Sequence, residues 1–89
     1  MKHAGQNALD RLEQFLRQLC AKTELKEKSR GAFYRGSRAF LHFREDGDAL
    51  FGDIRLTDDF TRVPATTKTQ QAALMKKLHR ALSRQKFSS

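Results

Sequence analysis

The sequence predicts an α+β fold, a two-layer sandwich in which two helices cover one face of a four-stranded antiparallel sheet. Apolar residues recur every three to four positions near both ends of the chain, which is typical of amphipathic helices. The middle of the chain is rich in aromatic and branched residues, and Asp-Gly and Gly-Ser pairs interrupt it where hairpin turns are expected. The predicted order is helix, four strands, helix, with the helices at the amino and carboxyl ends.

The chain of 89 residues is long enough for one domain with a modest core. We expect a single domain over residues 1–89, with an ordered core at about 7–85 and frayed ends at 1–6 and 86–89. No apolar run approaches the roughly 18 residues that a membrane span needs, and no secretory signal follows the start. We therefore expect a cytoplasmic protein with no membrane contact.

The first helix is predicted at about residues 7–21. Asn7 can cap it, and one face carries Leu9, Leu12, Phe15, Leu16 and Leu19. The segment 23–31 is polar, highly charged and contains Gly31, so it is predicted to be a loop.

The central hairpin joins residues 38–44 to residues 49–56 through a predicted type I′ turn at Asp46-Gly47. This turn pairs Leu41 with Gly52, Phe43 with Leu50, and His42 with Phe51. One face of the hairpin is then wholly apolar, which favours this register, since a slip by one residue would mix the two faces.

The outer strands are predicted from turns at Gly36-Ser37 and Asp58-Asp59. Val63 is expected beside Ile54 on the apolar face, and Tyr34 is expected beside Ala39. The expected neighbours on the uncovered face are Arg35 with Arg38, Phe33 with Phe40, and Arg62 with Arg55.

The last helix follows Pro64, which ends the final strand. Thr67 and Gln70 have the spacing of a capping box, in which the two side chains bond reciprocally to the backbone at the start of a helix. The helix is predicted to run to about residue 84. Its polar side carries Lys76, Lys77, Arg80 and Arg84.

The chain has 18 Lys and Arg against 10 Asp and Glu, a formal charge of +8, which attracts polyanions. The candidate binding residues on the uncovered sheet face are Arg35, Arg38, Arg55, Arg62, Phe33, Phe40, His42 and Phe51. Rings that stack on unpaired bases and guanidinium groups that hold phosphates favour nucleic acid as the ligand, or another polyanion. Lys77, Arg80 and Arg84 are secondary candidates on the last helix.

Two other interpretations of this face stay open. In one, the rings form a minor cluster under the arginine stems, and Asp53 with carboxylates of the loops neutralises the row that Arg35, Arg38, Arg55 and Arg62 are predicted to form across the four strands. In the other, the face contacts a protein partner or a second copy of the chain. For the oligomeric state, we favour a monomer over a homodimer.

No phosphate-binding loop, dinucleotide-binding glycine pattern or nucleophile elbow occurs. The one candidate acid–base pair is His42 with Asp53, and two side chains fall short of the three or four ligands of a metal site. We therefore expect no enzyme activity, no cofactor and no metal. The single cysteine, Cys20, excludes an internal disulfide, and it is interpreted as an inert residue at the helix end, an exposed oxidisable thiol or a nucleophile.

The segments 33–47 and 50–56 resemble small uncharacterised bacterial proteins that have a "GRAFLHFHED…LFADVRL" core, over about residues 8–84. They are more distantly similar to MmcQ/YjbR-like proteins, whose fold is related to that of frataxin and which have been called DNA-binding by analogy. The resemblance implies the helix–sheet–helix plan. Iron binding in frataxin relies on an acidic first helix, and here Arg11 and Arg17 offset Asp10 and Glu13, so iron delivery is not expected.

Overall fold

A computed structural model describes the backbone of residues 1–87 and the side chains of residues 1–83. The three helices are α1 (Gln6–Arg11), α2 (Glu13–Lys22) and α3 (Lys68–Phe87). The strands are β1 (Lys2–His3), β2 (Lys26–Ser29), β3 (Ala32–Arg35), β4 (Arg38–Asp46), β5 (Ala49–Arg55) and β6 (Phe60–Pro64). The predicted α+β class and antiparallel sheet are confirmed.

The sheet has the order β2-β3-β4-β5-β6, and every neighbouring pair is antiparallel. The short strand β1 pairs with the far end of β4, beyond the point where β3 stops. The predicted count of four strands is therefore too low. Residues 2–3, predicted to lie in a frayed leader, and residues 26–29, predicted to be a loop, both belong to the sheet. The prediction of a frayed end at residues 86–89 falls partly outside the described residues.

Helices α2 and α3 cover the same side of the sheet. The ring of Phe15 on α2 meets the ring of Phe43 on β4 edge-on, with centroids 6.1 Å apart. A Cβ atom added to Gly52 on β5 would lie only 2.5 Å from Leu74 Cδ1 on α3, so the absence of a side chain at this position lets α3 approach the sheet. The opposite side of the sheet carries no helix among the described elements.

The first helix is broken, whereas one continuous helix over 7–21 was predicted. Leu12 has φ −93° and ψ 1°, outside the α-helical region, and its N–H is shared between the carbonyl oxygens of Ala8 and Leu9. Leu12 itself is fully buried, so the kink keeps the apolar residues on both sides of it against the core. The third helix begins as predicted: Thr67 Oγ1 accepts from Gln70 N, and Gln70 Oε1 accepts from Thr67 N, which confirms the capping box.

The two central registers are displaced by two residues from those predicted. Asp46 pairs with Ala49, so the β4–β5 turn is Gly47-Asp48, and Leu41 lies opposite Ile54. Gly47 has φ +59°, and no non-glycine residue in the part of the chain that the structure describes has the positive φ that a type I′ turn at Asp46-Gly47 would require. The β5–β6 connection spans residues 56–59, and Val63 lies opposite Gly52. A displacement of two residues preserves the faces, so Val63 stays on the helix side as predicted.

The β3–β4 hairpin starts in the predicted register and then departs from it. Arg35 pairs with Arg38, and Tyr34 pairs with Ala39, but Phe33 pairs with Leu41 because Phe40 is an extra residue in β4. This bulge puts Phe40 and Leu41 in the core together, with exposed fractions of 1% each. Phe33 is also fully buried. The prediction that Phe33 and Phe40 lie on the uncovered face is therefore wrong.

Candidate nucleic-acid interface

We call the side of the sheet that the helices leave uncovered the sheet face. Strand alternation and the cross-strand pairs define its members. Its charged and ring-bearing side chains, across the six strands, are His3, Lys26, Lys28, Tyr34, His42, Arg44, Asp46, Phe51, Asp53, Arg55, Phe60, Arg62 and Pro64. Direct contacts support the assignment, since the Lys28 Nζ atom lies 4.7 Å above the centre of the Tyr34 ring and the Arg55 guanidinium lies 4.5 Å above that of Phe60.

The centre of the sheet face is the carboxylate of Asp53, which is only 4% exposed. The Nε–H group of Arg44 donates a hydrogen bond to the Oδ2 atom of Asp53 at 2.8 Å. Arg62 donates from Nε to Oδ1 at 2.9 Å and from Nη2 to Oδ2 at 3.3 Å. The Nε2 atom of His42 lies 3.1 Å from Oδ2. Side chains from the two neighbouring strands thus converge on one carboxylate of β5, which is bonded through both of its oxygens.

The electrostatics of this cluster follow from burial and from the two arginines. Burial alone would raise the pKa of Asp53, but the hydrogen bonds from Arg62 and Arg44 outweigh it and hold the pKa below its ordinary value. Burial lowers the pKa of His42; Asp53 opposes this effect, and Arg44 adds to it. Near neutral pH the cluster therefore contains an ionised carboxylate, a neutral imidazole and two guanidinium groups.

A row of rings runs beside this cluster. The rings of His42 and Phe60 meet edge-on with centroids 4.8 Å apart, and the His3 ring follows at 5.7 Å from His42. The guanidinium of Arg55 lies over the Phe60 ring and is held in place by hydrogen bonds to the carbonyl oxygens of Ala39 and Asp58. Phe60 remains 37% exposed, so part of its ring faces solvent.

The predicted arginine row does not exist as a row. The alternation that buries Phe33 turns Arg35 and its partner Arg38 toward the helix side of the sheet, and Arg35 Nη2 lies 3.8 Å from a carboxylate oxygen of Glu24. Arg55 and Arg62 do lie on the sheet face, but Arg62 is opposite Asp53 and Arg55 is opposite Phe60.

Two of the predicted site residues lie on the predicted face of the sheet but have cross-strand partners that differ from those predicted. His42 lies on the sheet face directly opposite Asp53, where the sequence predicted Phe51 as its partner. Phe51 is on the same face, half-buried, opposite Arg44 and Pro64. The acid–base pair of His42 and Asp53 is thus in contact, with two arginines sharing the carboxylate.

Sequence reasoning missed Arg44, Phe60 and Tyr34 as members of the site. The signal for two of them was present in the alternation of the strands: Arg44 follows His42 by two positions, and Phe60 precedes Arg62 by two, so each shares a face with a residue already chosen. Tyr34 could not be placed this way, because the bulge at Phe40 decides which residues of β3 turn toward the core.

The second predicted basic surface lies on α3. Lys76, Lys77 and Arg80 are exposed, and none of them has an ion pair with the residues whose side chains are described. No Asp or Glu occurs after Asp59 in the sequence. Arg84 lies in the same helix, but its side chain is outside the described residues. We call the three described cations the helix cations.

Cys20 is exposed on α2, and its thiol donates to Glu27 Oε1 at 3.5 Å. Burial and the neighbouring Glu27 raise the pKa of this thiol, which reduces the thiolate fraction at neutral pH. Within residues 1–83, no group of three or more His, Cys, Asp or Glu side chains is arranged to hold a metal ion.

None of the described helices has the length and apolar character that crossing a membrane requires. Comparison with known proteins was made at three levels: family models, curated proteins and solved structures. None of the three found a match to the chain.

Proposed function

We propose that this chain is a non-catalytic binding module for an acidic ligand, with single-stranded nucleic acid as the preferred ligand. The observation that carries the proposal is the sheet face itself. A row of rings, with Phe60 partly open to solvent, lies beside guanidinium groups that are held in fixed positions, on the side of the sheet that the helices leave uncovered. Stacking platforms beside fixed cations are the two components of single-strand recognition.

The charge of the sheet face supports an anionic ligand. Five cations lie on it: Lys26, Lys28, Arg44, Arg55 and Arg62. Arg44 and Arg62 donate hydrogen bonds to the Asp53 carboxylate, and Asp46 adds a second carboxylate where β4 ends. The balance is positive on the side where the rings are exposed, so phosphates and bases can be bound together.

The rings and cations take different parts in the proposed mechanism. Phe60, His42 and Tyr34 offer surfaces to unstacked bases, which a duplex keeps inside its helix. Arg62 and Arg44 bind phosphate oxygens, since guanidinium groups match their geometry. The helix cations act at a distance by raising the rate of encounter with a polyanion, because unpaired surface charges steer without orienting.

The proposal is tested by titrating the isotope-labelled protein with single-stranded and duplex oligonucleotides of mixed sequence, at low and at physiological salt. We expect amide shifts at His42, Phe60 and Arg62 that persist at physiological salt and are larger with the single strand. Shifts confined to residues 76–80 that vanish with salt would reduce the interaction to general attraction. No shifts at all would contradict nucleic-acid binding.

A variant pair sharpens this test. Phe60→Ala removes an exposed ring and should weaken binding by about tenfold, the scale of one base stacked on an aromatic side chain. Arg11→Gln is the control, since Arg11 is exposed on α1 in the helix layer. Equal losses in the two variants would show that the sheet face is not the binding surface.

The second candidate function is a protein-interaction module or homodimer that uses the same face. The exposed part of Phe60 and the exposed Pro64 on the same edge strand favour it, because apolar side chains grouped at a surface mark protein contacts. Sedimentation measured over a range of protein concentrations shows whether the chain forms a homodimer. Self-association that Phe60→Ala abolishes would support it, and a monomer at all concentrations would remove it.

A further inference from the structure

Asp53 presents a conflict in a surface proposed to bind anions. Its carboxylate is ionised, 4% exposed and central on the sheet face, where its charge repels a polyanion. A buried charge is costly unless it is fully paired, and here both oxygens accept hydrogen bonds from arginines on the two neighbouring strands. What the structure gains in return is the fixed position of those two guanidinium groups.

The donors that Asp53 leaves uncommitted are the relevant ones. A guanidinium has five N–H donors. Arg44 commits its Nε–H to Asp53, and Arg62 commits its Nε–H and one N–H of Nη2. The remaining N–H groups of the two arginines have no further hydrogen-bond partner among the residues whose side chains are described. Two sets of donors are thus held at a fixed spacing across β4, β5 and β6 and left available.

We infer that Asp53 is the positioning residue of the sheet face: it pre-orients Arg44 and Arg62 for the phosphates of a single-stranded nucleic acid. The inference rests on the proposed function and adds how the site achieves its affinity. Arginine has many rotamers, and immobilising such a side chain on binding costs free energy. A carboxylate that immobilises both arginines beforehand removes that cost from the binding step, and this gain exceeds the repulsion from one buried charge.

The decisive variant is Asp53→Asn, because a purely electrostatic role of Asp53 and a positioning role predict opposite changes in affinity for the oligonucleotide. The substitution removes one negative charge from a chain with a formal charge of +8, so electrostatics alone predicts tighter binding. Loss of positioning predicts weaker binding, by about tenfold at physiological salt, since two arginines must then be ordered by the ligand. The loss should be smaller at low salt, where diffuse attraction supplies more of the affinity.

The second variant, Arg62→Lys, keeps the charge and removes the bidentate geometry. Arg62 has a side chain that is 46% exposed, so the exchange is compatible with folding. We expect binding weaker by about fivefold, because an ammonium group cannot bridge both oxygens of Asp53 while it also presents fixed donors. Arg11→Lys is the matched control, and we expect it to bind as the unmodified chain does.

The measurement is the anisotropy of a labelled single-stranded oligonucleotide of mixed sequence, over a salt series, with circular dichroism to confirm folding. The resonances of the Arg44 and Arg62 Nε–H groups report positioning directly, and Asp53→Asn should broaden or lose them. Should Asp53→Asn not fold, Arg62→Lys decides alone.

Unchanged or tighter binding by folded Asp53→Asn overturns the inference, and so does unchanged binding by Arg62→Lys. Either result leaves the proposed function intact as long as the unmodified chain binds. If the unmodified chain binds no oligonucleotide, the proposed function itself fails, and this inference fails with it.

Discussion

The sheet face and the helix cations are both basic, but they differ in how the positive groups are held. On the sheet face Arg44, Arg55 and Arg62 each donate hydrogen bonds to oxygens of the sheet or its loops, and Arg55 lies over the ring of Phe60. The helix cations are long side chains that extend from α3 without an ion pair within the described residues. Net charge alone does not distinguish the two surfaces. Cations that hydrogen bonds keep in fixed positions can orient a ligand. Cations without such bonds supply a general attraction, which salt screens.

The difference has its origin in the neighbours of each surface. In the sheet, cross-strand pairing places Asp53 directly opposite His42 on one side and Arg62 on the other. On α3 the sequence contains no acidic residue, so no carboxylate of the same helix can pair with a lysine. The following predictions test this contrast, from the largest expected effect to the smallest.

The largest effect concerns which aromatic residues belong to the core. Phe40→Ala should lower the free energy of unfolding by about 3–5 kcal/mol, because the ring is 1% exposed and leaves a cavity. Phe60→Ala should cost about 1 kcal/mol or less, since that ring is largely at the surface. Chemical denaturation of the two variants measures both. A larger cost at Phe60 would mean that the face assigned here as uncovered is the packed one.

The next effect concerns which side of the sheet the helices cover. Gly52→Ala should destabilise the chain by about 1–3 kcal/mol, because the added methyl group would lie 2.5 Å from Leu74 Cδ1, so the buried Leu74 side chain or α3 must shift. Thermal unfolding measures the cost. Gly36 needs a glycine for its φ of +62° but has open space around it, so Gly36→Ala tests backbone strain alone. A neutral Gly52→Ala would contradict the close approach of α3.

The contrast itself is tested by the salt dependence of oligonucleotide binding. Arg62→Gln should weaken binding at low and at physiological salt, by about tenfold at the latter, because it removes a fixed contact to phosphate. The double change Lys76→Gln and Lys77→Gln should weaken binding at low salt and have little effect at physiological salt. Anisotropy titrations at both salt levels measure this. The reverse pattern would transfer the binding site to α3.

The smallest effect is on the pH dependence of stability. The pKa values of His42 and Asp53 are both lowered in the folded chain, so the folded state binds fewer protons than the unfolded state does. Each group therefore stabilises the fold above its unfolded pKa and loses that contribution as the pH falls: His42 below about pH 6.5 and Asp53 below about pH 4. Urea unfolding as a function of pH measures the decline.

The control for the pH prediction is His42→Gln, which keeps a polar side chain and removes the titration. The decline between about pH 7 and pH 5 should become shallower in this variant, and the decline at lower pH should stay. Stability that rises as the pH falls through the first window would contradict the lowered pKa of His42.

Much of the fold could be predicted because it depends on local patterns. The capping box of Thr67 and Gln70 requires only residues three apart, and α3 follows from the spacing of its apolar residues. The faces of β5 and β6 were predicted although both registers were displaced, because strand alternation is unchanged by a displacement of two residues. The kink at Leu12 and the strands β1 and β2 have weak local signals, since polar residues such as those of 26–29 form a strand only when a neighbouring strand offers its hydrogen bonds.

What the sequence by itself determined is the class of the fold, its capped third helix, the antiparallel strands of the middle and the positive charge. The tertiary structure decided the composition of the candidate site. The bulge at Phe40 turned two predicted surface rings into the core and moved Arg35 and Arg38 to the other side. The registers of β4, β5 and β6 placed Asp53 among His42, Arg44 and Arg62. Periodicity states which way a side chain points along one strand, whereas its cross-strand neighbours depend on pairing between segments that are distant in sequence.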